Sequence, residues 1–342
     1  MSQVTVLGAG SWGTALAVLL AQNGNRVKLW GLINDGVLDL NTEKENKRFL
    51  PGIKLPDNLI ATADLEEALS AGVEKIVFAV PSQAVRSVAK EAKKFIPNDA
   101  LIINVAKGIE IDSLLRMSEV LKEEVGVKTQ RISALSGPSH AEEVGNGIPT
   151  AVVAAAEKRE VAEAVQDLFM ATNFRVYTNP DLVGVEIGGT LKNVIALCAG
   201  IADGLGHGDN TKAALMTRGI VEIARLGVAM GASAATFAGL AGIGDLIVTC
   251  TSMHSRNRRA GIRIGQGIPL DKVLTEMGMV VEGVNATRSA MALSKRYSVT
   301  MPIAEEAYQV LFEGKAPQEA VINLMCRQKT HEMEETASPG SW

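Results

Sequence analysis

Only three cysteines, Cys198, Cys250 and Cys326, occur in the 342 residues. They are odd in number and lack the spacing of metal ligands, which argues against a disulfide framework or a thiolate metal site. Free thiols in a reducing compartment are expected. The four histidines, His140, His207, His254 and His331, show no ligand spacing either, and no metal is expected. Net charge is only −4, so nothing global calls for a nucleic acid or an anionic membrane. Any anion site must come from local clustering. Apolar stretches around residues 194–201 and 237–250 are too short to span a bilayer or are interrupted by Asp245. No charged-then-apolar leader precedes the first strand, and no repeat or low-complexity segment is seen. A soluble, cytoplasmic protein without stable membrane insertion is expected.

What is present is apolar material in quantity. Hydrophobic residues make up 47 % and charged residues 21 %, enough for sizeable cores. The length suggests two domains at about 150 residues each. The most informative stretch is the first: Val4 to Leu7 is a short apolar run that breaks into Gly8-Ala9-Gly10-Ser11-Trp12-Gly13. A G-x-G-x-x-G turn between a strand and an Ala/Leu-rich helix lays a dinucleotide pyrophosphate on the helix N-terminus. Gly8 allows the tight turn, Gly10 lets the backbone approach phosphate, and Gly13 lets the helix pack close to the strand.

Strand-like runs follow at 27–30, 75–80, 101–106, 131–135, 151–155 and 174–177. Helical patterns lie between several of them, at 14–23, 65–71, 83–95, 113–124 and 160–170. Such alternation implies a doubly wound, mostly parallel α/β sheet, with the closely spaced later strands as possible antiparallel additions. After Asn179-Pro180 strand-like runs vanish. Helical patterns take over at 183–202, 211–230, 234–240, 257–266, 270–277, 286–295, 303–312 and 317–324. The expectation is a dinucleotide-binding domain over 1–179, an all-helical substrate-binding and catalytic domain over 180–330, and a frayed tail over 331–342.

Ligands bind outside the carboxyl ends of strands in an open α/β sheet. Standing there are Gly8 to Trp12, Val80-Pro81-Ser82, Lys107-Gly108 and Ser136-Gly137-Pro138-Ser139-His140. The second strand ends in Gly31-Leu32, where an acid for an adenosine ribose or an Arg for a 2′-phosphate is usual, so NAD and NADP both stay open. In the helical part, Lys192 has Gly188, Gly189, Ile195 and Ala196 as its three- and four-residue neighbours. It either snorkels outward or sits in a desolvated cleft, where burial lowers its pKa toward the range useful for proton transfer. Asp245 is a lone acid among Gly and apolar residues: a buried partner for a Lys, or a helix cap. Ser255 is a good N-cap, which puts Arg256, Arg258 and Arg259 in a first helical turn. Cations there oppose the helix dipole unless an anion sits on that N-terminus, which points to a phosphate; a solvated basic face is the alternative.

Taken together, these residues resemble the bacterial-type NAD(P)-dependent glycerol-3-phosphate dehydrogenases, from about residue 2 to about residue 330. The resemblance is carried by GAGSWGTALA at 8–17, VPSQAVR at 80–86, KGIE at 107–110 and LSGPSHAEEV at 135–144. It continues with the long block at 188–220, GLAGIGDLIVTCTSMHSRNRR at 239–259 and GMVVEG at 278–283. It implies hydride exchange between NAD or NADP and C2 of glycerol 3-phosphate, with dihydroxyacetone phosphate as the ketone, supplying phospholipid synthesis. Lys192 is then the acid–base group. Lys107, Gly137, Ser139, Asp245, Ser255, Arg256 and Asn257 hold the small phosphorylated substrate with it. The dinucleotide is met by the three glycines with Ser11, Trp12, Lys107, Ala141, Arg256, Val280 and Glu282. A homodimer is expected from the family alone. Two positions depart from it: Gly31-Leu32 replaces a frequent His or Arg, and Ala106 replaces the usual Ser or Thr before the Lys-Gly pair. The rival readings are a two-domain dehydrogenase of β-hydroxyacid or ketopantoate type, and a non-catalytic nucleotide sensor.

Overall fold

The computed structural model describes residues 2–70, 72–126, 131–329 and 332. The expected tail, apart from Glu332, lies outside them, as do His331 and the last residue of the 65–71 pattern. Among the described residues ten strands form in the first half: β1 Gln3–Leu7, β2 Arg26–Trp30, β3 Glu45–Asn46, β4 Leu50–Lys54, β5 Leu59–Thr62, β6 Val73–Phe78, β7 Leu101–Asn104, β8 Ile132–Ser136, β9 Thr150–Ala156 and β10 Phe174–Asn179. Eight of them make one sheet in the order β10-β9-β8-β7-β6-β1-β2-β5, and β3 with β4 makes a separate hairpin. Side chains alternate across the sheet with period two: Val4 and Val6 join the core under the helix Ser11–Gln22, while Leu7 joins the opposite one under the helices Val85–Ala92 and Met117–Val125.

All pairings in the sheet are parallel except β8 with β9, which is antiparallel; β10 then runs parallel to β9. The link from Ser136 to Thr150 contains only the one-turn helix Ala141–Gly145, too little for a crossover, so the chain turns back on itself. The order reverses around β1, which lies between β6 and β2, and this opens a crevice at the carboxyl ends.

The expected helix over 113–124 begins later, as Met117–Val125, because Leu114 is left-handed at φ 60°. That over 65–71 is the single turn Leu65–Ala68. Between β2 and β6 the hairpin and β5 appear where no element is expected.

The second half is helical. Its centre is Leu182–Gly204, 23 residues whose side chains are nearly all buried. By length and composition this helix and the segment Ala234–Thr251 could cross a membrane, which the sequence reading did not anticipate; 89 % of the first helix's apolar window is buried inside the protein, as in a core helix. Glycines in helix interiors cost about 0.5–1 kcal/mol each against Ala, and here they let two backbones touch. A Cβ at Gly200 or Gly204 would meet Arg258 O or Ile262 O at 2.1 Å, and one at Gly261 would meet Leu197 O at 2.1 Å. The helix Arg256–Gly265 is thereby pressed along the central helix, and its N-terminus is brought beside Asn193.

Candidate active site

At the glycine turn each glycine has a different reason. Gly8 has φ +120°, and a Cβ there would meet Ala79 C at 2.7 Å; a Cβ on Gly13 would meet Gly8 O at 1.9 Å. Gly10 is the opposite case, with nothing within 4 Å of the Cβ position. It is also the N-cap of the helix Ser11–Gln22, which has no side-chain cap and no acid in its first turn. Bare N–H groups at the positive end of a helix dipole, beside open space, fit a pyrophosphate.

Along the same sheet edge lies a cluster of buried charge. Lys192 does not snorkel: it is 5 % exposed, and its Nζ donates to Asp245 Oδ1 at 2.7 Å and Thr249 Oγ1 at 2.6 Å. Lys107 comes from the loop after β7 and donates to the other Asp245 oxygen at 2.8 Å and to Gly137 O at 2.9 Å. Asp245 is 1 % exposed and begins the helix Asp245–Thr251, unforeseen in the sequence, which follows a π-type turn Leu240–Gly244. It is not a cap: the N-cap is Gly244, and the carboxylate bridges two ammonium groups. Burial pushes the Lys192 pKa down to about 8, with Lys107 pulling the same way against the opposing pull of Asp245. Burial alone would raise Asp245, but the Lys107 and Lys192 charges outweigh it and hold the carboxyl below its ordinary value.

Asn193 and Asn257 extend the cluster. Asn257 Nδ2 donates to Asn193 Oδ1 at 2.8 Å, and Asn257 Oδ1 accepts from Gly283 N at 2.8 Å. Ser255 accepts from Arg258 N at 3.2 Å as the N-cap of Arg256–Gly265. With the side chains of Ser255 and Asn257 thus engaged, what this turn offers an anion is its backbone N–H groups and Arg256. Arg256 lies over the neighbouring loop, its Nη1 donating to Val280 O at 3.1 Å. Arg258 is committed elsewhere, to Asp203 at 2.8 Å and to Thr251 O, and Arg259 is exposed. Only one of the three arginines therefore serves the reading of a phosphate-bearing helix start.

The two halves are tied across the cleft. Glu282 accepts from Ser82 N at 2.9 Å and Ser82 Oγ at 2.7 Å, and burial raises its pKa against those hydrogen bonds. Ser139 donates to Gly137 O at 2.9 Å, and Ala141 starts the following short helix. Gly108 lies against Ser82, whose Cβ is 2.2 Å from where a Cβ on Gly108 would sit. Gly8 and Gly13 thus lie against Ala79 at the end of β6, Gly108 lies against Ser82 just beyond it, and Lys107 reaches Lys192 through Asp245. Sequence reasoning missed Thr249, although it lies four residues after Asp245 on one helical face. It also missed Glu186, buried on the central helix, which accepts from Arg116 Nη1 at 2.7 Å and Ser118 N at 2.8 Å at the start of Met117–Val125. No local signal announces such a long-range pair.

A bare glycine turn on a doubly wound sheet, facing a buried lysine on an all-helical half, defines a Rossmann-type dehydrogenase of the two-part kind. Two family models match, described as the N-terminus of NAD-dependent glycerol-3-phosphate dehydrogenase over residues 3–162 and its C-terminus over 181–322. The chain belongs to the NAD-dependent glycerol-3-phosphate dehydrogenase family. It is 58 % identical to a glycerol-3-phosphate dehydrogenase (NAD(P)+) of Pelotomaculum thermopropionicum, covering 98 % of this chain and 96 % of that one. It is 56 % identical to the protein of that name from Bacillus subtilis, covering 98 % and 97 %. A crystal structure of glycerol-3-phosphate dehydrogenase from Coxiella burnetii superposes with a TM-score of 0.91 at 38 % identity, covering 95 % of this chain and 99 % of that one.

Proposed function

We propose that this chain interconverts dihydroxyacetone phosphate and sn-glycerol 3-phosphate with NAD or NADP. The observation that carries the reading is Lys192: an ammonium only 5 % exposed, held on Asp245 at 2.7 Å, beside the sheet edge that carries the glycine turn. The nicotinamide, when bound, supplies or takes up the hydride at C2. Lys192 deals with the proton. Near neutral pH it is protonated and donates to the ketone oxygen in reduction; as the neutral amine it takes the C2 hydroxyl proton in oxidation. Asp245 holds Lys192 in place, and Lys107 adds positive charge where the oxygen turns anionic. Arg256 and the first-turn N–H groups of its helix hold the phosphate, whose binding energy positions C2. Gly137, Ser139, Ser255 and Asn257 shape the substrate side. Ser11, Trp12, Ala141, Val280 and Glu282 shape the dinucleotide side.

The division into domains at 1–179 and 180–330 goes with this reading, as do a cytoplasmic location, a homodimer and a supply role for phospholipid synthesis, which rest on the family resemblance. The test is to mix dihydroxyacetone phosphate with NADH and with NADPH separately and follow nicotinamide absorbance. Consumption with either supports the reading. Turnover of a ketopantoate-type acid in place of the phosphate ester would favour the rival dehydrogenase, and turnover of neither would favour a sensor.

A further inference from the structure

The group that meets the 2′ position of an adenosine ribose normally stands just past the second strand, an acid for a hydroxyl or an Arg for a phosphate. Here β2 ends at Trp30, and Gly31-Leu32-Ile33-Asn34 follow without a charge. Gly31 cannot carry a reader: a Cβ there would meet Ala9 Cβ, in the glycine turn itself, at 2.6 Å. The same corner is reached by the β3–β4 hairpin. Its buried Asn46 donates from Nδ2 to Ala9 O at 2.9 Å and to Thr14 Oγ1 at 2.8 Å, which pins the hairpin to the turn. Two residues further on, Arg48 donates from Nη1 to Asn34 O at 2.9 Å and pairs with Asp35 at 3.1 Å. Its guanidinium lies 4.9 Å from the centre of the Phe49 ring. Glycine turn, β2 loop and hairpin therefore meet with one Arg–Asp pair between them.

We propose that Arg48, carried by the hairpin instead of the β2 loop, reads the 2′ group of the dinucleotide, taking a 2′-phosphate when one is present and resting on Asp35 when the ribose carries a hydroxyl. This rests on the reading of the chain as a nicotinamide-dependent dehydrogenase. The guanidinium fork matches a phosphate in geometry and charge. The Arg48 side chain is 55 % exposed and that of Asp35 35 %, and an exposed ion pair contributes little, so opening it costs little. Both cofactors are then admitted. Removal of Arg48 penalises NADP+ twice, because the fork is lost and the Asp35 carboxylate is left facing a phosphate. Removal of the Asp35 charge acts in the opposite direction.

Calorimetric titration of the full-length protein, without turnover, tests this with NADP+, NAD+, 2′,5′-ADP and 5′-AMP. In R48A the Kd for NADP+ relative to NAD+, and for 2′,5′-ADP relative to 5′-AMP, rises at least tenfold. R48K falls between it and the parent, since the charge stays and the fork goes. D35N lowers both ratios. Unchanged ratios in R48A, or equal weakening of both cofactors, overturn the assignment of Arg48, as does a parent protein that binds NAD+ but not NADP+. A parent protein that binds neither dinucleotide instead sinks the dehydrogenase reading beneath it.

Discussion

The glycine turn and the helical wall beside it are built on opposite plans. At the glycine turn the site is backbone: Gly8, Gly10 and Gly13 with the uncapped start of Ser11–Gln22, carrying no titratable group in its first turn. On the helical side it is buried charge, with Lys192 and Asp245 taken almost wholly from water and paired through two carboxylate oxygens with Lys107. The first plan tolerates no wrong shape and is indifferent to pH. The second answers to pH and to any change of charge. Binding of the dinucleotide and transfer of the proton should therefore be separable by mutation.

The largest effect should come from the helical side. Lys192→Ala is expected to lower turnover at least ~10²-fold, the usual scale for loss of a general acid–base group, while calorimetry still shows dinucleotide binding. Near-normal turnover would remove Lys192 from the chemistry, and lost binding would break the separation. Next come two substitutions in the turn. Gly13→Ala places a methyl group against Gly8 O and should destabilise the fold by about 1–3 kcal/mol as well as weaken binding. Gly10→Ala meets no protein atom within 4 Å. It should keep its melting temperature yet lose about tenfold or more in dinucleotide affinity, on the scale of one lost charge-assisted hydrogen bond. A Gly10→Ala protein that binds as tightly as its parent would show that no phosphate comes close there.

The last effect is on stability and is graded along the pH scale. Lys192 is depressed from its ordinary 10.5 to about 8 by burial. Between those values the folded protein has released a proton that the unfolded chain keeps. This group therefore makes stability rise with pH across that window, by at most about 1.4 kcal/mol per pH unit. Below pH 8 both states hold the proton and the penalty is constant. Urea midpoints of the parent minus those of Lys192→Met isolate the contribution. A difference that stays flat from pH 8 to 10 would mean that Lys192 is not desolvated as described.

The same contrast decides how much could be read from the sequence. Gly8, Gly10 and Gly13 act within six consecutive residues, so spacing alone reveals them. Lys192 and Asp245 are 53 residues apart and Lys107 and Asp245 138 apart, and composition cannot announce such pairs. The family resemblance singled out these residues, whereas the residues themselves left snorkelling and capping open. The helix Asp245–Thr251 is absent from the expected patterns, one of which stops at residue 240, because Gly242 and Gly244 interrupt the apolar periodicity; they lie in a π-type turn feeding directly into it. The β3–β4 hairpin, with Pro51 and Gly52 inside β4, and the four-residue β5 lack the length and alternation that mark a strand. Arg48 has no local signal for that reason: its place beside the β2 loop depends on the hairpin.

The decisive measurement is the pH midpoint of kcat for glycerol 3-phosphate oxidation in the parent protein and in Asp245→Asn. In the parent, oxidation should rise as pH passes through about 8, where Lys192 becomes the neutral base. Without the Asp245 carboxylate the ammonium loses its stabilising partner, and the midpoint should move to lower pH. A midpoint that is the same in both proteins would contradict a proton handled by a buried lysine held on Asp245.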